Sequence, residues 1–143
     1  MKKIISKITN KLEGKLQKHE TKLKVGDKAP DLKGIDQNGK MFDTNSIKGK
    51  KVVLYFYPKD NTPGCTAQAC NLRDNYKKLA KDGYVIIGVS ADSQEKHQKF
   101  IAKYELPFPL IADEQLELIK AYDVWGKKQF MGKVFDGIIR TTF

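Results

Sequence analysis

The sequence predicts an α/β domain of stacked layers, with core strands running parallel to one another. Two near-continuous apolar runs rich in β-branched and aromatic residues carry that expectation: KKVVLYFYP (residues 50–58) and YVIIGVSAD (84–92). Such runs suit strands buried on both faces. Segments of helical character lie between and after them, and 143 residues is the size of one domain with a self-sufficient core.

In chain order, residues 1–22 read as a basic amphipathic leader helix, with Ile4, Ile5, Ile8, Leu12 and Leu16 at helical spacing. The folded domain is expected over 23–143. Within IDQNGKMF (35–42) the Asn-Gly pair predicts a β-hairpin. The first buried strand ends at Pro58, a helix follows over 63–81, and the second buried strand comes next. Asp92 and Glu95 have the spacing of a capping box before a helix running to about Tyr104. FPLIAD (108–113) is a third strand, Asp113 the cap of a helix over EQLELIKAYDV (114–124), and GIIRTTF (137–143) a fourth strand.

Composition narrows the function. The net charge of +10 suggests nucleic acid until it is located: the first 24 residues hold eight lysines against two glutamates. The excess therefore belongs mostly to the leader, so neither nucleic acid nor stable membrane insertion is expected of the domain. No apolar run approaches the roughly 20 residues that span a bilayer. No signal-peptide pattern is visible, which makes a reducing cytoplasm the expected compartment. A thiol pair there is more often catalytic, redox-sensing or metal-binding than structural.

The chain has two cysteines, both in YPKDNTPGCTAQAC (57–70), five positions apart. On a helix, that spacing separates them by about 140° of rotation and ~7.5 Å of rise. A disulfide usually needs Cα atoms about 4.4–6.8 Å apart. Either the two are unrelated or their relation requires the backbone to move. Thr62 suits an N-cap and Pro63 the first helical position, which puts Cys65 in the first turn. The free N–H groups and dipole there favour a thiolate, the nucleophilic form. Cys70 lies beyond that field and also fits a small buried hydrophobe. Zinc would need more ligands than the cysteines with His19 and His97 offer, and the other cysteines of a plant-type iron–sulfur pattern are missing. There is no C-x-x-C motif and no evident Cys–His–Asn arrangement.

The segment YPKDNTPGCTAQAC closely resembles the active site of the peroxiredoxins, whose pattern P-x3-T-x2-C falls on Pro58, Thr62 and Cys65. A second cysteine five residues on is similar to the peroxiredoxin Q, or bacterioferritin comigratory protein, subgroup. The resemblance extends from LKVGDKAPDLKGIDQNGK through VIIGVSADS and FPLIADE to VWGKKQFMGKVFDGIIRTTF. It implies a thioredoxin-like fold: a central mixed sheet with flanking helices and an N-terminal β-hairpin. It also implies that the family domain continues past RTTF with the rest of that strand, a further strand and a helix, so that 23–143 would be C-terminally incomplete.

Carried over position by position, the resemblance makes Cys65 the peroxidatic cysteine and Cys70 the resolving one. Thr62 would place its hydroxyl on the thiolate and the peroxide, and Pro58 would shield the pocket. Arg140 would lie beside the sulfur, and the substrate would meet Thr62, Gly64 and Arg140. Gln68 would support the pocket, whereas Arg73 reads as structural. The implied activity is reduction of hydrogen peroxide or small alkyl hydroperoxides by a monomer, through a Cys65–Cys70 disulfide recycled by thioredoxin or a similar dithiol. No metal or other cofactor is called for. The alternatives are a redox sensor that turns over slowly, or a truncated partner-binding relative. These differ in the rate of recycling and in the reactivity of Cys65.

Overall fold

The computed structural model describes residues 19–143, together with the backbone of Lys7–Ile8. Lys7–Ile8 (β1) is extended and pairs antiparallel with Thr141–Thr142 (β9), where the sequence suggested helix. Residues 19–22 of the expected leader helix are not helical either, and residues 1–6 and 9–18 lie outside the described residues. The expected hairpin forms from Lys33–Ile35 (β2) and Met41–Asp43 (β3), paired antiparallel. A short 3-10 turn at Thr44–Ile47 leads into Lys51–Phe56 (β4).

The central sheet has the order β1-β9-β4-β5-β6, with β5 at Tyr84–Ser90 and β6 at Leu110–Ala112. β4, β5 and β6 run parallel and β9 is antiparallel to β4, so the sheet is mixed. Side-chain alternation along these strands makes two cores. Leu54, Phe56, Ile87, Val89 and Ile111 face one layer with Tyr122, Val124 and Phe143. Tyr55, Tyr57, Ile86 and Leu110 face the other, with Cys65, Ala69, Phe100 and Phe108. Full burial of side chains such as Leu54 or Ile87 contributes about 1.5–3 kcal/mol each. Gly88 makes room in the second layer: a Cβ there would stand 2.9 Å from Cζ of Tyr55 and 2.6 Å from Cδ2 of Leu110.

The helix expected over 63–81 is two helices, Pro63–Asp74 (α1) and Tyr76–Lys81 (α2). The break falls at Asn75, whose side-chain amide donates to the same Asn71 carbonyl that its backbone N–H reaches. The helix Gln94–Tyr104 (α3) is capped by Ser93, whose hydroxyl accepts from the Lys96 N–H. Asp92 is not the cap. Its carboxylate turns inward, and the hydrogen bonds it accepts there occupy it.

The helix expected after Asp113 is short, Glu117–Ala121 (α4), and its N-cap is Leu116. Asp113 still accepts from the first-turn N–H groups of Glu117 and Ile119, but from ahead of the cap position. GIIRTTF is not one strand. Residues Trp125–Phe130 (β7) and Lys133–Ile138 (β8) form a separate hairpin about Met131 and Gly132, which both have positive φ, as a two-residue hairpin turn requires. The chain then crosses at Ile139–Arg140 to the central sheet and resumes as β9.

Residues ahead of Leu23 are also tied to the domain. His19 Nε2 lies 2.8 Å from the Asp123 carbonyl, Thr21 donates to the Tyr122 carbonyl, and the Lys22 N–H donates to the Asp123 carboxylate.

Candidate active site

The site forms where β4 ends and α1 begins, the carboxyl-end position that open α/β sheets favour for chemistry. Pro58 ends the strand, half-buried at the edge of the loop. Asn61 has φ +59°, and Thr62 takes the extended backbone of an N-cap, its carbonyl accepting from the Thr66 N–H at 2.8 Å. The Thr62 hydroxyl does not cap the helix; it donates to the Lys59 carbonyl at 2.9 Å.

Cys65 occupies the first turn of α1 and is almost completely buried, whereas Cys70 is half-buried; both are free thiols. Arg140, seventy-five residues away in sequence, donates from Nη2 to the Cys65 sulfur at 3.1 Å. Its Nη1 donates to Oε1 of Gln68 at 2.7 Å, so one guanidinium bridges two positions of the helix. The crossing at Ile139–Arg140 aims it there. Ile139 is bonded to the Val124 carbonyl, and the Thr141 hydroxyl donates back to the Ile139 carbonyl.

Gly64 completes the approach, since a Cβ on it would stand 3.3 Å from Nη2. Arg73 lies elsewhere, on Asp74 and the Tyr104 carbonyl. Cys65, Gly64, Gln68 and Arg140 are therefore gathered at one point, with Thr62 at the head of the same helix and Pro58 at the loop edge. A buried sulfur under a fixed cation is arranged for nucleophilic attack, with the charge already in place.

Comparison with known proteins gives the family. Residues 25–143 match the sequence model of the AhpC/TSA family. The chain belongs to that family. Over 121 residues it is 50% identical to the Bacillus subtilis protein named peroxiredoxin Bcp, covering 85% of this chain and 77% of that one. It is 46% identical to peroxiredoxin Bcp of Escherichia coli K12, with 85% and 78% covered. Among solved structures, Xanthomonas campestris peroxiredoxin Q superposes with a TM-score of 0.73 at 38% identity, over 78% of this chain and 71% of that one. The Mycobacterium tuberculosis protein named peroxidoxin BcpB gives 0.71 at 34% identity, over 82% and 75%. As a family member the chain is a peroxidase of the oxidoreductase class with a thioredoxin-like fold.

Two features escaped sequence reasoning. The Tyr55 hydroxyl is buried in the layer that contains Cys65 and, among the described residues, is the buried side-chain polar atom without a partner. Burial pushes its pKa well up, so it stays protonated. The other is a buried network at the loop before Thr62. The Tyr57 hydroxyl donates to Oδ1 of Asp60, and His97 Nδ1 lies 2.6 Å from Oδ2. Oδ2 of Asp92 accepts from the Asp60 N–H and from the Ser90 hydroxyl. His97 was legible only as a candidate zinc ligand. Asp60, Asp92 and His97 do bring ligand atoms within 4.8 Å of one another, but those of Asp60 and His97 already serve each other.

Proposed function

We propose that this chain reduces hydroperoxides by a two-cysteine cycle in which Cys65 is peroxidatic and Cys70 resolving. The observation that carries the reading is the Arg140 guanidinium 3.1 Å from a buried Cys65 sulfur. The Cys65 thiolate attacks the nearer oxygen of ROOH, forming an S–O bond as the O–O bond breaks. Sulfur is oxidised to the sulfenic acid, and the leaving RO⁻ takes a proton to become water or an alcohol. Arg140 stabilises both the sulfur anion and the charge that develops on the peroxide. Gly64 leaves the first turn open to substrate, and Pro58 limits water. The Thr62 hydroxyl, which already donates to the Lys59 carbonyl, receives a hydrogen bond from the peroxide rather than giving one.

In the second step the Cys70 thiol displaces hydroxide from the sulfenic acid, which leaves as water with the thiol proton, and an S–S bond forms. A dithiol protein of the thioredoxin type then reduces the disulfide by exchange, becoming oxidised itself. The bacterioferritin comigratory protein of Xanthomonas campestris has an alkyl peroxide reduction activity, which supports small organic hydroperoxides as substrates beside hydrogen peroxide. The cycle needs no second subunit and draws on no metal. The deciding assay is thioredoxin oxidation by this chain with added peroxide. Stoichiometric disulfide formation followed by turnover is expected, and a chain that leaves thioredoxin reduced would overturn the reading.

A further inference from the structure

We propose that His97, acting through Asp60, is a positioning residue that holds the peroxidatic loop in its reactive form; this rests on the two-cysteine reading above. His97 is fully buried on α3 and both its ring nitrogens are engaged. Nε2 is 3.0 Å from the Ile111 carbonyl, which can only accept, so Nε2 carries a proton. Nδ1 faces Oδ2 of Asp60 at 2.6 Å. Asp60 is thereby fixed from three elements: by Tyr57 at the end of β4, by Asp92 just past β5, and by His97 on α3, itself moored to β6.

The next residue is held from α3 as well, since Oδ1 of Asn61 accepts from the Tyr104 hydroxyl at 3.0 Å. Thr62 and the first turn of α1 follow directly. Burying a carboxylate–imidazole pair is weak as a source of stability, because desolvation offsets most of the attraction. Its value lies in registry. The clamp ends at Asn61, and the segment that must unwind for Cys65 to meet Cys70 starts at Thr62. The network thus separates a fixed strand end from a movable helix start, and it favours the closed state in which Cys65 faces Arg140.

The test compares wild type with three full-chain variants. His97→Gln places an amide near the Nε2 position and loses the Asp60 partner. His97→Asn places one near Nδ1 and keeps it. Tyr57→Phe removes only a hydroxyl and guards against a histidine variant that fails to fold. Stopped-flow peroxide mixing gives the bimolecular oxidation of Cys65 and the unimolecular formation of the disulfide.

The expected result for His97→Gln is oxidation slowed about tenfold, as loss of alignment commonly does. Disulfide formation should become several-fold faster and inactivation by excess peroxide weaker. Tyr57→Phe should move the same way by less, and His97→Asn should stay near wild type. A lowered melting temperature with both rates unchanged would make the network merely structural and overturn the proposal. So would His97→Asn matching His97→Gln. If wild type itself forms no Cys65–Cys70 disulfide with peroxide, it is the two-cysteine reading that fails instead.

Discussion

Arg140 reaches the Cys65 sulfur with one guanidinium nitrogen and Gln68 with the other, so its planar fork is used at both tips. Lysine has one ammonium and cannot span both. Arg140→Lys should therefore slow the first oxidation by about tenfold or more, measured by single-turnover peroxide consumption. An unchanged rate would remove Arg140 from the chemistry. Cys65→Ser should abolish turnover altogether, because a serine hydroxyl is not ionised near neutral pH.

The unpartnered Tyr55 hydroxyl gives a prediction of opposite sign. Tyr55→Phe should raise stability by about 1 kcal/mol or more, read as a higher denaturant midpoint, because an unsatisfied buried donor is removed and the ring kept. At this scale a short motif was enough to place Thr62, Gly64 and Cys65 together at the head of α1. Arg140 could be chosen only through the family resemblance, and Asp60 with His97 not at all: no local pattern joins a loop aspartate to a histidine thirty-seven residues on.

The helix α1 is built to begin weakly. Pro63 and Gly64 open it, and the side chain of its N-cap residue is turned to Lys59 rather than to the helix. A missing cap of this kind forgoes about 1 kcal/mol. Local unwinding of the first turns is correspondingly cheaper than global unfolding. Cys70→Ser should consume one equivalent of peroxide and stall at the sulfenic acid, which mass spectrometry would detect as a gain of one oxygen. Hydrogen exchange on oxidised wild type should show protection lost mainly over residues 62–71. If that helix remains fully protected after oxidation, the resolving role of Cys70 falls.

Among elements, β4, β5 and the first hairpin were readable because their apolar runs and the Asn-Gly turn are local signals. The β7–β8 hairpin was not, since its strands carry Lys127, Lys128 and Lys133 and its turn is Met-Gly. Nor was the division of GIIRTTF, because β8 and β9 pair with different sheets and only the tertiary structure separates them.

At the level of the whole molecule, the central sheet keeps the cysteine layer on one face and the Tyr122–Val124 layer on the other. Thr21 docks on the second side through the Tyr122 carbonyl. Thr21→Val should lower stability by about 1 kcal/mol in a denaturant titration while leaving the rate of Cys65 oxidation unchanged. A slowed oxidation would mean that the two layers are mechanically coupled. Layering was legible from the alternation of strands and helices; the attachment of residues 19–22 was not, because polar bonds to carbonyls leave no periodic trace.

Both thiols ride on one helix, and that joins chemistry to time. In the proposed cycle the sulfenic acid waits for α1 to open, and during that wait a second peroxide can convert it to the sulfinic acid. The chance of that loss is a ratio of two rates, one set by peroxide concentration and the other by the helix. The winding of α1 therefore acts as a clock, and its period fixes the peroxide dose above which the protein is consumed by its own substrate.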